Sequence, residues 1–334
     1  MIDFEICDFT LDFVDPALEL LKTGYERERK YIPFFPEFSK TDDKTGELQW
    51  FGNAKLGFCA VKDGELLAFF CYYPPFKGVY NTETQFGSWS PLHAHGIKTL
   101  EPKETEAVWS RLIQAAMKRA AEEGSVYHSV TLFRHETILQ ELLHMYGFGN
   151  RFADSMLKVA DYDASIFQND VTSNFNSADY KIKQTTSEDF PALRELRFGL
   201  STHLASAPCF CIHNENQFEE YIHNRETDED LVTFGLFNSD DKLVGFIDTT
   251  EGDGENFISQ GSDILNISGM YVSPDYRGKG VAKLLANAAV EEAKNHGKTV
   301  LGVDYETMNP TARGFWEKYF TPYTVSLVRR LDKV

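Results

Sequence analysis

The sequence predicts an α/β (α+β) protein with two tandem domains, and its length, repeated segment order and composition support this prediction. The chain has 334 residues, about the length of two average domains. Segments typical of strands and helices alternate in the C-terminal half, and the N-terminal half repeats their order more weakly. Because 42% of the residues are hydrophobic and 14% are aromatic, each half can bury a core of its own.

The domain boundaries are predicted from composition. We expect an N-terminal domain at residues 1–160, a linker at 161–179 and a C-terminal domain at 180–334. The linker segment is rich in Asp, Asn and Ser and has no hydrophobic periodicity, as expected of a loop. A repeat of about 150 residues indicates a duplicated domain rather than a solenoid, whose repeats are far shorter.

In the C-terminal half, the first helix follows Ser187, which is typical of a helix N-cap. Leu193, Leu196 and Leu200 then recur at helical spacing and predict a buried face. A later helix ends at Gly297, because glycine is common just after the last helical turn. The predicted strands are YKIKQTT, the two arms of LVTFGLFNSDDKLVGFIDTT, DILNISGMYV, TVLGVDYE and YTVSLVRRL.

The N-terminal half contains weaker versions of the same elements. Asp63-Gly64 marks the turn of a predicted hairpin in LGFCAVKDGELLAFFCYY. GSWSPLHAHGI is predicted as one strand, and the helix after it ends at Gly124, as its counterpart ends at Gly297. The strand YHSVTLF, the helix HETILQELLHMYGF and the strand RFADSMLKVA complete this half.

Charge and cysteine content exclude several classes of function. The formal net charge is −18 and acidic residues are spread over both halves, so a basic groove for nucleic acid is not expected. Apolar runs are far shorter than the ~20 residues of a membrane span, and the N-terminus lacks a signal-peptide pattern. Five cysteines, an odd number, do not make a disulfide framework. We therefore expect a cytoplasmic protein without membrane or nucleic-acid partners.

A basic glycine loop, Arg277-Gly278-Lys279-Gly280, lies between a predicted strand and a predicted helix. The first turn of a helix has unpaired N–H groups and the positive end of the helix dipole, and glycine lets a ligand approach the backbone. Such a corner binds phosphate. It is not a dinucleotide fingerprint, because Lys283 stands where that motif has its third glycine. A solvent-exposed turn is the alternative.

The loop and a segment downstream resemble motifs A and B of the GNAT superfamily of N-acetyltransferases. The resemblance covers residues 180–334, and the motifs come in the superfamily's order. The fixed places of motif A, [QR]-x-x-G-x-[GA], are filled by Arg277, Gly280 and Ala282. The residues that match motif B, in NPTARGFWEKYF, are Asn309, Ala312, Phe315 and Lys318.

The resemblance implies two tandem GNAT folds, each a mixed, mostly antiparallel twisted sheet flanked by helices. It implies acetyl-CoA as co-substrate and no metal, with one strand amide polarising the thioester carbonyl. The loop residues that would hold the CoA pyrophosphate are Gly278, Lys279, Gly280, Val281 and Ala282, beside Arg277 of the motif. The residues expected along the pantetheine arm are Met270, Tyr271, Val272, Asn309 and Phe315.

The catalytic acid and base depart from the superfamily's pattern. The superfamily often has a tyrosine acid where this chain has Trp316, and an indole N–H is a poor proton source. Tyr319 is the candidate acid, and a packing role for this ring is one alternative. Unassisted thiolate release is the other, since a thiol has a pKa of about 8.5. Asp304 and Glu306 share one face of a strand, and Glu306 is the candidate base, directly or through water. Solvated carboxylates without a catalytic role are the alternative.

The N-terminal half has KTLEPKET, without a glycine, between the corresponding strand and helix. We expect this half to be a degenerate copy that binds no CoA, shapes the acceptor pocket and covers the other domain. The chain is then a monomer with an internal pseudo-dimer, or a homodimer.

Two groups of side chains are of types common in metal sites, and neither is expected to bind a metal. His93 and His95 lie two apart without an evident third ligand, so packing or hydrogen bonding is favoured over metal binding. Cys209, Cys211 and His213 follow the first helix of the C-terminal half, where the resemblance implies acceptor-binding loops. Lining the acceptor pocket is the alternative to a metal site for these three residues.

The predicted function is an acetyl-CoA-dependent N-acetyltransferase, active in its C-terminal half, that modifies a primary amine of a small molecule or peptide. A non-catalytic acyl-CoA-binding or sensing protein is the alternative, because Trp316 removes the usual proton donor. The acceptor stays open among polyamines, aminoglycosides, amino acids and peptide N-termini.

Overall fold

The computed structural model describes residues 3–40, 44–162, 179–252, 254 and 256–331. Most of the predicted linker, residues 163–178, lies outside these ranges. In the N-terminal half the strands are β1 (Glu5–Asp8), β2 (Gly57–Lys62), β3 (Glu65–Cys71), β4 (Tyr73–Lys77), β5 (Phe86–Ser90), β6 (His95–Ile97), β7 (Tyr127–Phe133) and β8 (Gly149–Lys158). The helices are α1 (Val14–Arg29), α2 (Thr45–Ala54), α3 (Pro102–Glu122) and α4 (Thr137–Met145).

The C-terminal half has the same kind of alternation. Its strands are β9 (Lys181–Gln184), β10 (Val232–Phe237), β11 (Leu243–Glu251), β12 (Ile264–Val272), β13 (Val300–Glu306), β14 (Thr321–Pro322) and β15 (Thr324–Arg330). Its helices are α5 (Phe190–Ala205), α6 (Glu215–Thr227), α7 (Val281–Asn295) and α8 (Pro310–Tyr319). In the described ranges no helix is both long and apolar enough to cross a membrane.

The described strands form two sheets, and the larger one crosses both halves of the chain. The smaller has the order β1-β2-β3-β6, and the larger β4-β5-β7-β15-β8-β13-β12-β11-β10-β9, with β14 beside β8. Parallel pairing occurs between β5 and β7 and between β12 and β13, and the other pairs are antiparallel. The predicted α/β class with mixed, mostly antiparallel sheets is confirmed.

The final strand of the chain is inserted into the N-terminal half. β15 pairs with β7 over its whole length and with β8 on its other edge. β8 in turn pairs with β13, from Lys158 opposite Val300 to Phe152 opposite Glu306. The N-terminal half therefore lies directly beside the strand that carries the candidate base.

The segment GSWSPLHAHGI, predicted as one strand, forms two strands in different sheets. β5 and β6 are separated by a turn in which the amide of Ala94 donates to the carbonyl of Pro91 at 2.8 Å. Proline has no N–H to continue a ladder, so the strand ends there and the prediction of a single strand is wrong.

Helices cover both faces of the sheet around β12. On one face, α7 buries Val281, Leu285 and Ala289 against the strands, together with Trp316 of α8. On the other face α5 packs its Leu193 and Leu196 against Phe246 and Tyr271, among others. These helices hold β12 and β13 in place on both faces, and the point where the two strands diverge stays open to a ligand.

Candidate active site

Strands β12 and β13 run parallel and then separate, which opens a gap in the sheet. Their pairing ends at Ile267 and Val303. β13 continues to Glu306 against β8, while β12 continues to Val272 against β11. The pairing of β12 with β11 shifts register between Ile267 and Gly269, so Ser268 is an extra residue on β12. A bulge of this kind bends a strand. The gap therefore begins one residue after the last pair.

The gap leaves one edge of β12 open at Met270, Tyr271 and Val272. Their other edge pairs with β11. Beyond Ile267, no strand in the described part of the chain pairs with the open edge. Apart from the Val272 carbonyl, which accepts from Arg277, its backbone groups are therefore available to an extended ligand.

The glycine loop ends at the first turn of α7. Gly278 and Gly280 have φ angles of +71° and +81°, which favour glycine. Gly280 is the N-cap of α7 and provides no side-chain cap, so the first amides of the helix are left for another acceptor. A Cβ atom at Gly278 would meet nothing within 4 Å, so the loop backbone is open on that side.

A cleft of about 420 Å³ joins the loop, the open edge of β12 and helix α8. Its shape suits a pyrophosphate at the loop and an extended arm along β12, so the residues present fit CoA. The cleft is also lined by Leu200, His203 and Lys283, which the sequence analysis did not predict as cofactor-binding residues. The predicted cofactor-binding residues that line it are Met270, Tyr271, Val272, Arg277, Gly278, Gly280, Val281, Ala282, Asn309 and Phe315.

Lys279 is the predicted cofactor residue that does not line the cleft. Its Nζ donates to the carbonyl of Asp275 at 2.7 Å on the exposed side of the loop. Arg277 lines the cleft, but its Nε donates to the carbonyl of Val272 at 2.8 Å and its guanidinium lies 5.0 Å from the centre of the Tyr271 ring. The arginine of the motif thus fastens the loop to the end of β12.

Asn309 shapes the start of α8 as well as the cleft wall. Its Oδ1 accepts from the amides of Thr311 and Ala312 at 3.1 and 3.3 Å, so it is the N-cap of the helix. Because the side chain is occupied by this role, the cleft meets a fixed corner at Asn309 rather than a mobile amide.

Trp316 and Tyr319 have different surroundings on α8. Trp316 is 4% exposed, and its ring centre lies 5.2 Å from that of Phe320, as in a packed core. Tyr319 lines the cleft with its ring centre 5.3 Å from that of Phe315. Burial raises the pKa of the Tyr319 phenol, so it holds its proton at neutral pH, as a general acid must.

Glu306 lies on the opposite face of the sheet from the cleft. Val303 and Tyr305 point into the core beneath α7 and α8, so the alternation of β13 turns Glu306 the other way. Its Oε1 lies 3.0 Å from a guanidinium nitrogen of Arg151 and accepts from Cys211 Sγ at 3.6 Å.

The second carboxylate oxygen of Glu306 can accept a proton. Oε2 is buried and has no hydrogen-bond partner among the described residues. Burial raises the pKa of Glu306, and the positive charge of Arg151 only partly opposes this. A carboxylate with raised proton affinity and an unoccupied oxygen suits a general base.

A second cavity, of about 240 Å³, begins at Asp304 and extends into the N-terminal half. Asp304 lies directly opposite Asp154 of β8. A small cavity shares both aspartates with this space and is also lined by Ser268 and Val303, where β12 and β13 separate. Of the two carboxylates that share a face of β13, Asp304 thus borders the open space and Glu306 lies in an ion pair.

The histidines considered as metal ligands have protein partners. His93 Nε2 lies against a carboxylate oxygen of Glu47, and His95 Nε2 is 2.8 Å from the carbonyl of Thr131. His213 Nδ1 is 2.7 Å from Ser201 Oγ. In the ranges that the structure describes, no cluster of three His, Cys, Asp or Glu side chains could hold a metal ion.

The cysteine pair lies near the candidate base. Cys211 accepts a hydrogen bond at 3.3 Å from the same arginine that pairs with Glu306, and burial raises the pKa of its thiol to about 11. The segment after α5 therefore contacts the face of the sheet on which Glu306 lies.

Sequence reasoning did not find Arg151 or the residues of the N-terminal half that line the second cavity. Arg151 is far from Glu306 in the chain, and only the pairing of β8 with β13 brings them together. Nothing in the sequence around residue 151 indicates that pairing, because the side-chain alternation of a strand does not depend on which strand lies beside it.

Comparisons with known proteins concern the family and the fold. Residues 201–320 match the model of a family described as "Acetyltransferase (GNAT) family", and this segment contains the glycine loop and α8. No curated protein matches the chain.

Similar solved structures cover nearly the whole chain. A GCN5-related N-acetyltransferase from Sphaerobacter thermophilus has a TM-score of 0.57 and 12% identity, over 98% of this chain and 95% of that one. A tandem GNAT protein from the clavulanic acid biosynthesis pathway has a TM-score of 0.51 and 11% identity, over 98% of each chain. At such identities the likeness concerns the fold, and that fold is the tandem GNAT fold.

Proposed function

We propose that this chain, whose C-terminal half carries a domain of the GNAT acetyltransferase family, is an acetyl-CoA-dependent N-acetyltransferase acting on a primary amine. The observation that carries the proposal is the single cleft that unites the glycine loop, the open edge of β12 and Tyr319. In this proposal the C-terminal half is the active one, and the N-terminal half supplies part of the acceptor side.

Acetyl-CoA supplies the activated acetyl group, and the chain's backbone binds it. The amides of the loop and of the first turn of α7 hold the pyrophosphate. The open edge of β12 at Met270 to Val272 holds the extended arm, and one of its amides donates to the thioester carbonyl. That donor stabilises the negative charge that develops on the oxygen during attack.

The proton acceptor and donor lie on opposite faces of the gap. Glu306, on the acceptor side, takes a proton from the attacking amine, directly or through one water. Tyr319, on the cleft side, donates its phenol proton to the departing thiolate. The raised pKa of Tyr319 keeps the acid protonated, and the raised pKa of Glu306 makes its ionised carboxylate a stronger proton acceptor.

The experiment is an assay of thiol release from acetyl-CoA over a panel of primary amines, with CoA binding measured by calorimetry on the same protein. We expect amine-dependent thiol release that falls about 10²-fold in Glu306→Gln, while CoA binding is unchanged. Binding of CoA without release by any amine favours the alternative, a non-catalytic acyl-CoA sensor, and absence of CoA binding contradicts both.

A further inference from the structure

We propose that Arg225, near the end of α6, is a positioning residue for acetyl transfer. It holds the bulge residue Ser268 and thereby sets which backbone N–H groups of β12 face the gap between β12 and β13. This inference rests on the proposed function and adds to it a residue that acts on the thioester through the backbone of β12.

Ser268 lies in β12 but takes no part in the ladder on either edge. On one edge, the pairing with β11 passes from Ile267 to Gly269 and skips Ser268. On the other edge, the pairing with β13 ends at Ile267. The extra residue of a bulge is left out of the ladder, so its backbone groups take partners from outside the sheet.

Arg225 provides that partner from α6. Its Nη1 donates to Ser268 Oγ at 2.9 Å, and its Nη2 donates to the Ser268 carbonyl at 3.4 Å. The planar fork of the guanidinium thus binds the side chain and the backbone of one residue. The guanidinium also lies 5.3 Å from the centre of the Tyr221 ring, one turn earlier on α6. Because Phe218 and Ile222 of the same helix are buried, α6 is a fixed base for this contact.

The bulge determines how the residues after it present their backbone. Strands have a period of two, so a change of one residue in register exchanges the groups that face the two sides. Ile267 is fixed by β13, and a Cβ atom at Gly269 would lie 3.2 Å from Asp248, so Ser268 is the link between two fixed points. Its conformation therefore directs the N–H groups of the next residues, one of which is proposed to polarise the thioester carbonyl.

Arg225 is separate from the residues that bind CoA in the proposed function. Neither Arg225 nor Ser268 lines the CoA cleft, whereas Met270, Tyr271 and Val272 do. Loss of the arginine should leave the glycine loop and its phosphate site unchanged. A positioning role therefore predicts a loss of kcat without a matching loss of CoA affinity.

The first test compares Arg225→Met with Arg194→Met in thiol release at saturating acetyl-CoA, with CoA binding measured by calorimetry. We expect kcat to fall about tenfold in Arg225→Met, because a misdirected amide stabilises the developing charge poorly. The dissociation constant of CoA should change less than about threefold. Arg225→Lys, which keeps a donor, should recover part of the loss.

Arg194→Met is the matched control and should keep the wild-type kcat. The guanidinium of Arg194 also contacts α6, at 5.7 Å from the centre of the Phe218 ring, but it pairs with exposed Glu219 and not with the bulge. An unchanged kcat in Arg225→Met would overturn the inference. Equal losses of kcat in the two variants would overturn it too, and so would a loss of CoA affinity as large as that of kcat.

The second test asks whether Arg225 and Ser268 act as a unit. Ser268→Ala removes one of the two acceptors and should lower kcat about threefold, as the loss of one hydrogen bond implies. The double variant should be no slower than Arg225→Met, because the arginine's partner is already lost. Additive losses would show that Arg225 acts elsewhere. If urea unfolding shows that Arg225→Met does not fold, Ser268→Ala and Arg225→Lys decide the question.

A readout without turnover separates this inference from the proposed function. Acetyl-CoA should protect amides of Met270 to Val272 from hydrogen exchange in the wild type, and less so in Arg225→Met. Equal protection in both proteins would refute the role of Arg225 and leave the transferase intact. Absence of CoA binding in the wild type would contradict the proposed function, and this inference with it.

Discussion

Gly280 is the loop residue for which we propose the most direct role in CoA binding, because its conformation and its position at the start of α7 both leave backbone amides open to a phosphate. A φ of +81° is available to glycine at little cost and strains a β-branched residue. The absence of a Cβ atom also lets a phosphate approach the amides of α7. Sequence alone indicated this residue, because glycine spacing before a helix has a local physical cause.

We expect Gly280→Val to weaken CoA binding at least about tenfold, as the loss of one or two backbone hydrogen bonds implies. Calorimetry measures the affinity. Gly297→Val is the matched control, because Gly297 also has a positive φ, of +67°, and lies at the far end of α7. If both variants lose the same affinity, strain rather than the loop explains the loss.

Tyr319→Phe should lower kcat about 10²-fold, because the phenol would no longer protonate the thiolate. CoA affinity should barely change, since the ring remains. An acid works only while protonated, and burial raises the pKa of Tyr319, so the alkaline limb of the wild-type kcat profile lies above the ordinary phenol range. A wild-type kcat with an unshifted limb in Tyr319→Phe would exclude this residue as the acid.

The pair of Arg151 and Glu306 makes a prediction about the acidic limb. A base works only when deprotonated, and Arg151 lowers the pKa of Glu306 against the effect of burial. Arg151→Met should therefore move the acidic limb of kcat/KM to higher pH. Arg330→Met, which removes an exposed arginine of β15, is the control. A limb that does not move in Arg151→Met means that another group is the base.

At the scale of elements, the position of β12 depends on a buried ion pair that joins α5 to β11. Arg197 lies 3.0 Å from Asp248, with side chains 2% and 0% exposed, and Thr233 donates to the same carboxylate at 2.6 Å. A Cβ atom at Gly269 would lie 3.2 Å from Asp248, so this pair lies against the bulged part of β12.

Arg197→Met should destabilise the protein by about 3 kcal/mol or more, because Asp248 would be left buried without its cation. Urea unfolding measures the loss. Arg194→Met on the same helix removes an exposed partner of Glu219 and should change stability little. Similar losses of stability in the two variants would show that the burial of the Arg197–Asp248 pair does not explain the loss.

The elements were predicted well where their signals are local, and less well where they depend on pairing. The bounds of β7 and β12 and the end of α7 at Gly297 follow from periodicity and glycine position. The insertion of β15 between β7 and β8 has no such local signal, because the alternation of side chains in a strand does not specify which strands lie beside it. Arg151 and the residues of the N-terminal half that line the second cavity were missed for the same reason.

At the scale of the whole molecule, each half has a cleft near the start of a helix, and the two clefts differ in the loop that precedes that helix. The N-terminal half has a cleft of about 500 Å³ near the start of α3. α3 begins at Pro102, which has no N–H, and no glycine precedes it in KTLE. Arg27, Lys30 and Lys98 line this cleft beside Glu28 and Glu136, so the argument against a phosphate ligand is the missing glycine loop and not the charge of the lining. We infer that this cleft does not bind CoA.

The stoichiometry of CoA binding tests the central claim most directly. Calorimetric titration of the full chain with CoA should give one site per chain, and the same titration of Gly280→Val should show that this site is weakened. One site that responds to Gly280 assigns CoA to the C-terminal cleft. Two sites per chain, or one site whose affinity is the same in Gly280→Val and in wild type, would contradict the account.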